Sequence, residues 1–397
     1  MATNKEQNKL NVPHLRFPEF HGEWEKCKLG DIATLTKGSG ISKDQRSATG
    51  TPCILYGELY TTYKSEVINY VVSKTDISDK NLVRSCANDI IIPSSGETAI
   101  DISTARCVLS PDVLLGGDLN IIRLKDGDGR FFSYQLNGVR KHDIAKIAQG
   151  VSVVHLYGES IKGLTVSFPS NKEQQKISTL LSLIDERIAT QSKLIEDLKK
   201  LKSAIIEIEY TPNTKNTSPI GDVIEQISKR NKNNAIQNVL SVSNRQGFIK
   251  QSEQFENRNV ASEDTSNYKI VEQNDFAFNP ARINVGSIAR LTTFEKGIVS
   301  PMYVCFRTQE NVAPEYIDYF FESKHFYCEI QKRLEGSVRQ CLSFEGLCNI
   351  PLSLPSFEIQ QRIGKRIFTL GQKIKMETDL LELLNKQKQY LLRQMFI

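Results

Sequence analysis

Polar side chains with two-pronged hydrogen-bonding reach gather in a few short stretches: Lys37, Ser39 and Lys43; Ser94, Ser95 and Thr98; Asn244, Arg245 and Gln246; Asn279, Arg282 and Asn284; Arg339 and Gln340. Their types suit recognition better than catalysis. Arginine can read guanine, and asparagine or glutamine adenine, through paired hydrogen bonds, while lysine and backbone amides take phosphates. Any one of these residues could equally be solvated surface. Their clustering around glycine-bearing turns is what makes Lys37, Ser39, Lys43, Ser94, Ser95, Asn244, Arg245, Asn279, Arg282, Asn284, Arg339 and Gln340 the candidate DNA-binding set.

A search for catalytic equipment finds none. The chain has no G-x-x-x-x-G-K-[ST] loop for a triphosphate, and Gly38-Ser39-Gly40 lacks the third glycine of a dinucleotide fingerprint. Asn279-Pro280-Ala281-Arg282 lacks the second proline and the aromatic of the N-P-P-aromatic strip of amino-methyltransferases, and Ser94-Ser95-Gly96 is not a G-x-S-x-G nucleophile elbow. The five histidines, His14, His21, His142, His155 and His325, have no metal-ligand spacing, and the eight cysteines contain no C-x-x-C pair. The cysteines read as free thiols, mostly buried. No catalytic residue, metal site or cofactor is therefore expected in this chain.

What must position the polar stretches is an internal duplication. Pro169 to Ile177 (PSNKEQQKI) recurs 186 residues later as Pro355 to Ile363 (PSFEIQQRI). At the same offset Asn88-Asp89 returns as Asn274-Asp275, Gly150 as Gly336, Leu156 as Leu342 and Glu159 as Glu345. Leu29-Gly30-Asp31-Ile32 returns as Ile220-Gly221-Asp222-Val223 at an offset of 191, so a small insertion or deletion separates the two sets of anchors. Strand-like runs recur in both copies: 52–56, 67–72, 90–92 and 120–124 in the first; 239–242, 275–278, 288–291 and 302–307 in the second.

Each copy closes on a long helical pattern. Its apolar spacing of 4, 3, 4, 3 is the seam of a coiled coil rather than the 3.6-residue period of a surface helix. The first seam runs through Ile177, Leu181, Ile184, Ile188, Gln191, Ile195 and Leu198, then Lys202 and Ile205. Adding 186 gives Ile363, Ile367, Leu370, Ile374, Glu377, Leu381 and Leu384, then Lys388 and Leu391, with the polar slots repeated along with the apolar ones. Parallel pairing in register would oppose Lys202 to Lys388, whereas antiparallel pairing centred near Gln191 and Glu377 sends the lysines to opposite ends. The expected fold is α/β or α+β: two similar globular modules separated by a long antiparallel two-helix coiled coil, related by an approximate two-fold axis. The boundaries follow as 1–23, an N-terminal segment; 24–170, the first module; 171–210, the first helical spacer; 211–356, the second module; and 357–397, the second spacer. The polar linker 211–219, with Pro212 and Pro219, is expected to stop the first helix.

The 397 residues carry a net charge of +5, with 39 % hydrophobic residues. The basic excess lies in residues 357–397, with 8 basic against 4 acidic side chains, so charge alone is no argument for nucleic acid. No apolar run is long enough for a membrane span and no secretory signal opens the chain, which leads to the expectation of a cytoplasmic protein with no membrane partner.

Trp24-Glu25, the Leu29–Ile32 string, the Glu-Gln-Gln core of 169–177, Leu183-Ile184-Asp185 and the second copy through Leu391-Leu392-Arg393-Gln394-Met395-Phe396 together resemble the DNA-specificity subunits of Type I restriction-modification enzymes over nearly the whole chain. The second copy departs at Gly371, where the first has Asp185, and at Ile359, where the first has Glu173. The resemblance implies two target recognition domains on double-stranded DNA, each reading one half of a split site. It also implies two methyltransferase (modification) subunits and two restriction subunits as partners, with S-adenosylmethionine, ATP and Mg on those partners. The competing expectation is a coiled-coil scaffold that joins proteins and never touches DNA; its support is the near-neutral charge of the modules.

Overall fold

The computed structural model describes residues 11–78, 81–211, 217–244, 246–254, 264–336 and 340–397. Arg245, Arg339 and Pro212 lie outside the described residues. The chain divides into two compact units, 1–192 with 379–397, and 193–378.

The larger sheet of the first unit orders its strands Ala33–Lys37, Leu119–Leu124, Asp89–Pro93, Arg106–Val108 and Val67–Ile68. Asp89–Pro93 is buried along its whole length, as a central strand of Ile90-Ile91-Ile92 must be when both faces are covered. A smaller sheet sets Thr51–Ile54 between Lys74–Thr75 and Leu114–Leu115, the latter pairing parallel. The second unit repeats the plan. Ile224–Ile227, Val304–Thr308, Phe276–Phe278 and Ile288–Arg290 form one sheet, while Gly247–Lys250, Val239–Ser243, Lys296–Val299 and Lys269–Glu272 form the other, again with one parallel pair, 239–243 with 296–299. A two-stranded ribbon closes each unit, Glu25–Lys28 with Thr165–Phe168 and Thr217–Pro219 with Pro351–Ser353. The linker expected at 211–219 thus ends as a strand.

The strands expected at 52–56, 67–72, 90–92, 120–124, 239–242, 275–278, 288–291 and 302–307 are all present, shifted by one to four residues at their ends. The expectation of mostly buried thiols needs correcting. Only Cys53, Cys107 and Cys305 are buried, because these alone sit on inner strand faces; Cys86 precedes a turn, Cys328 is on the solvent face of a short helix, and Cys27, Cys341 and Cys348 are half-buried.

The duplication holds at the level of single hydrogen bonds. Gln174 donates through Nε2 to the Pro169 carbonyl and accepts from the Asp128 amide; Gln360 donates to the Pro355 carbonyl and accepts from the Ala313 amide. Asn88 and Asn274 both take the left-handed backbone that asparagine tolerates, with φ of 79° and 72°. Asp89 and Asp275 then each accept a backbone N–H from three residues earlier, at 2.7 Å, and an arginine fork, from Arg123 and Arg307. The glycines of the Leu29–Ile32 and Ile220–Val223 strings are required by close approach. A Cβ on Gly30 would stand 2.9 Å from Lys162 Cβ, and one on Gly221 2.7 Å from Cys348 Cβ.

Two helices, Asn171–Tyr210 and Phe357–Gln394, are shared between the units. Neither contains proline, and the first contains no glycine, so nothing in them interrupts the backbone ladder. In the first unit Ile177 and Leu181, from the start of one helix, share a core with Leu392, Met395 and Phe396, from the end of the other; Phe396 packs on Trp24 and Phe131 at ring distances of 6.4 and 5.1 Å. In the second unit Ile205, Ile206 and Tyr210 share a core with Ile363 and Ile367. Start meets end in both units, so the helices run antiparallel.

Candidate nucleic-acid interface

The glycine-bearing turns place the candidate residues at the ends of the sheets, where loops leave the strands. In the second unit they come together. Asn244 is exposed in the hairpin turn between 239–243 and 247–250. The turn that carries Arg282 and Asn284 ends at Gly286, whose φ is 87°, and a Cβ added there would meet Asn244 Cβ at 3.7 Å. Ser287 fastens the two turns by donating through Oγ to the Val242 carbonyl. The segment bearing Gln340 is tied to the same place, since the Leu342 amide donates to the Pro280 carbonyl at 3.1 Å. Arg282 and Gln340 are exposed and Asn284 half-buried, whereas Asn279 is buried and accepts the Ala281 amide through Oδ1, closing its own turn.

The first unit has the same frame. The Leu156 amide donates to the Ser94 carbonyl, the counterpart of the 342-to-280 bond, and the isolated bridge of Gln149 with His155 matches that of Glu335 with Cys341. Gly150 and Gly336 make the turns between them, with φ of 123° and 101°. Here, however, the predicted serines turn inward. Ser94 and Ser95 are buried, and Ser39 accepts the Val83 amide through Oγ at 2.9 Å, so Ser39 holds a loop and Ser94 and Ser95 do not face outward. Lys37 and Lys43 are exposed. Lys43 lies on the rim of an open cleft of about 730 Å³ together with Gln45, Arg46, Tyr56 and Thr61; Gln45, Arg46 and Tyr56 are residues that sequence reasoning passed over.

The seam residues are placed uniformly. Ile177, Leu181, Gln191, Ile195, Ile363, Ile367 and Glu377 are buried; Ile184, Ile188, Leu198, Leu370, Ile374, Leu381 and Leu384 are half-buried. The repeated lysine slot has two different partners. Lys202 bonds Glu322 in the second unit, at 2.6 Å. Lys388, 8 % exposed, lies in the first unit between Glu66 and Asp185, at 2.5 and 2.6 Å, and Asp185 also accepts from Tyr134 Oη and Ser65 Oγ. Burial pushes the Glu66 carboxyl up. Burial alone would lower the Lys388 ammonium, but Glu66 and Asp185 together raise it.

This explains the two departures between the copies. Asp185 is needed in the first unit to receive Lys388, whereas the site of Gly371 has no neighbour within 4 Å of an added Cβ. Glu173 receives both prongs of Arg16 at 2.8 Å, and Ile359 is exposed in the second unit. Among the described residues no group of three or more His, Cys, Asp or Glu side chains is arranged to hold a metal ion, and no helix is long and apolar enough to cross a membrane.

Comparison with known proteins bears on what such a frame does. The family model of the Type I restriction modification DNA specificity domain matches twice, at residues 21–200 and 212–386. The chain is 23 % identical over 426 residues to the MjaVIII specificity subunit, a type I restriction enzyme subunit of Methanocaldococcus jannaschii, covering 98 % of this chain and 95 % of the relative. It is 24 % identical over 398 residues to the putative type I specificity subunit S.MgeORF438P of Mycoplasma genitalium, covering 94 % of each. In fold it is similar to the crystal structure of the type I restriction-modification S subunit from M. genitalium, with a TM-score of 0.64, 17 % identity and coverage of 97 % of this chain and 99 % of that one.

Proposed function

Because the chain belongs to the Type I restriction modification DNA specificity family, we propose that it is the non-catalytic subunit that reads DNA for such a complex. Each α+β unit reads one half of a bipartite double-stranded target. The observation that carries this reading is the pattern of the duplication. Internal bonds such as those of Gln174 to Pro169 and Gln360 to Pro355 are kept, while the exposed turns that carry the candidate residues differ in sequence between the copies. A fixed frame with divergent tips suits a protein that must hold two reading heads alike and have them read different bases.

The chemistry then belongs to partners. In this reading two modification subunits, bringing S-adenosylmethionine, and two restriction subunits, bringing ATP and Mg, assemble on this chain in the cytoplasm. The exposed faces of the two long helices, Leu183, Leu194, Leu201, Phe368, Met376 and Leu383 among them, offer apolar area for that assembly. Methylation-sensitive sequencing of the host genome should reveal a bipartite methylated motif that vanishes when this gene is deleted. A duplex carrying the motif should shift the complex in a titration, whereas a duplex with either half scrambled should not. Equal binding to all duplexes, or to none, would favour a scaffold that joins proteins.

A further inference from the structure

The second unit has a basic cleft that the candidate set does not include. It measures about 760 Å³ and is lined by Lys229, Arg230, Asn231, Lys232, Ile270 and Lys296, with no carboxylate among its lining residues. The four cationic side chains are exposed. Lys296 is paired with Glu272 at the rim, at 2.8 Å, and Arg230 donates through Nη1 to Asn267 Oδ1. Among the described residues Lys229 and Lys232 have no carboxylate within salt-bridge distance. The backbone that presents them is held firmly. Asn231, 2 % exposed, donates to the Ile236 carbonyl and accepts the Ile236 amide; Asn234 turns the loop with φ of 49°, and the Ile270 amide donates to the Lys229 carbonyl.

A second observation comes from the other copy. Residues 228–236 leave the strand Ile224–Ile227 and reach the other four-stranded sheet through the bridge of Arg230 with Lys269. Residues 38–46 leave Ala33–Lys37 and reach the smaller sheet through the bridge of Ser47 with Lys74, and they line the 730 Å³ cleft with Lys43 and Arg46; Glu58 and Asp118 share that lining, and Arg46 lies 3.7 Å from the Glu58 carboxylate. The two loops share no sequence pattern, yet both set cations beside a cleft at the same point of the fold. An inherited folding constraint would have kept the residues that close the loop. What recurs instead is positive charge.

We infer that the loop after the strand Ile224–Ile227, and its counterpart after Ala33–Lys37, is a DNA-backbone contact, with Lys229, Arg230 and Lys232 taking phosphates of the duplex read by the second unit, and Lys43 and Arg46 doing so for the first. The inference rests on the reading of this chain as a DNA-binding subunit. Lysines on flexible stems act as point charges for phosphate and carry no base code, and the fork of Arg230 is already engaged by Asn267. These residues therefore set affinity and its salt dependence, not which bases are chosen.

The test uses the full chain co-purified with its modification subunits, titrated from 50 to 300 mM salt on the cognate duplex and on a scrambled one. Each phosphate contact contributes about 0.9 to the slope of log affinity against log salt, so K229Q/R230Q/K232Q should lower the slope by about 2.7 and weaken binding on the order of a hundredfold near physiological salt, equally for both duplexes. K43Q/R46Q should lower it by about 1.8. K26Q/K146Q/K324Q, which removes three exposed charges elsewhere, should keep the parent slope. An unchanged slope in the loop variants, an equal loss in the K26Q/K146Q/K324Q control, or a loss confined to the cognate duplex would overturn the inference. If the parent complex binds no duplex at all, the functional reading fails instead.

Discussion

Replacing Lys388 by methionine should cost as much as truncating a fully buried seam residue of either long helix, such as Leu181 or Ile367. The ammonium holds two carboxylates at 2.5 and 2.6 Å, and both acids are as enclosed as the lysine, at 10 % and 7 % side-chain exposure. Methionine fills most of the same volume, so the cavity contribution is small and the loss is electrostatic. Removing one member of a buried ion cluster leaves its partners charged, here with only the attraction of Arg106 remaining, at a cost of about 3–5 kcal/mol. For a unit of this size that lowers Tm by about 10 °C. The pH dependence identifies the cause. With the ammonium gone, burial is left to hold the folded Glu66 carboxyl further above its ordinary range, so it keeps its proton more tightly than it does unfolded. Stability relative to the parent therefore recovers as pH falls from 7 towards 5, through the region just above the ordinary glutamate value of 4.5. Differential scanning calorimetry at pH 7 and pH 5 measures both quantities. K200M serves as the control: it removes an exposed i,i+4 pair with Glu196 and should cost less than about 0.5 kcal/mol at either pH. A Lys388→Met loss below about 1 kcal/mol, or one that persists unchanged at pH 5, would refute the reasoning.

Arg282→Ala should weaken binding of the cognate duplex by about 1–3 kcal/mol if the guanidinium reads a base, with the loss confined to the half-site of the second unit; a titration against single-base variants of each half-site measures this. Adding one heptad at matching points of both long helices lengthens each by about 10 Å and should change the spacer that the complex accepts between half-sites. A library of duplexes with graded spacers reports it, and an unaltered optimum would mean that helix length does not set the spacer.

The frame was far more legible in the sequence than the interface. The seam could be read because burial imposes a 4, 3 alternation, and the polar slots at Gln191, Glu377, Lys202 and Lys388 were visible because they interrupt it. What the lysines bind was not visible. Glu66 lies 322 positions from Lys388, and pairing over such a distance leaves no local pattern. The anchors Asn88 and Asn274 could be matched because a left-handed turn restricts the residue type, while the arginines that complete those corners, Arg123 and Arg307, escaped because their offset is 184 rather than 186. The binding residues were harder still. A serine or asparagine beside a glycine turn has two uses, closing the turn or facing a ligand, and composition does not separate them. Ser39 and Asn279 took the first use, Asn244 is exposed as the second requires. The Lys229–Lys232 run was overlooked because acids elsewhere in the same module balance its charge.

The antiparallel return of the second long helix has a consequence for how the chain is made. The second unit is a single stretch, 193–378, and has every residue of its core once that stretch has left the ribosome. The first unit begins to emerge earlier but still lacks Leu392, Met395 and Phe396, which complete the aromatic stack on Trp24 and Phe131, and it lacks the cation for Glu66 and Asp185. Synthesis order and completion order are therefore reversed: the half translated first waits for its closing residues until nearly four hundred codons have been read.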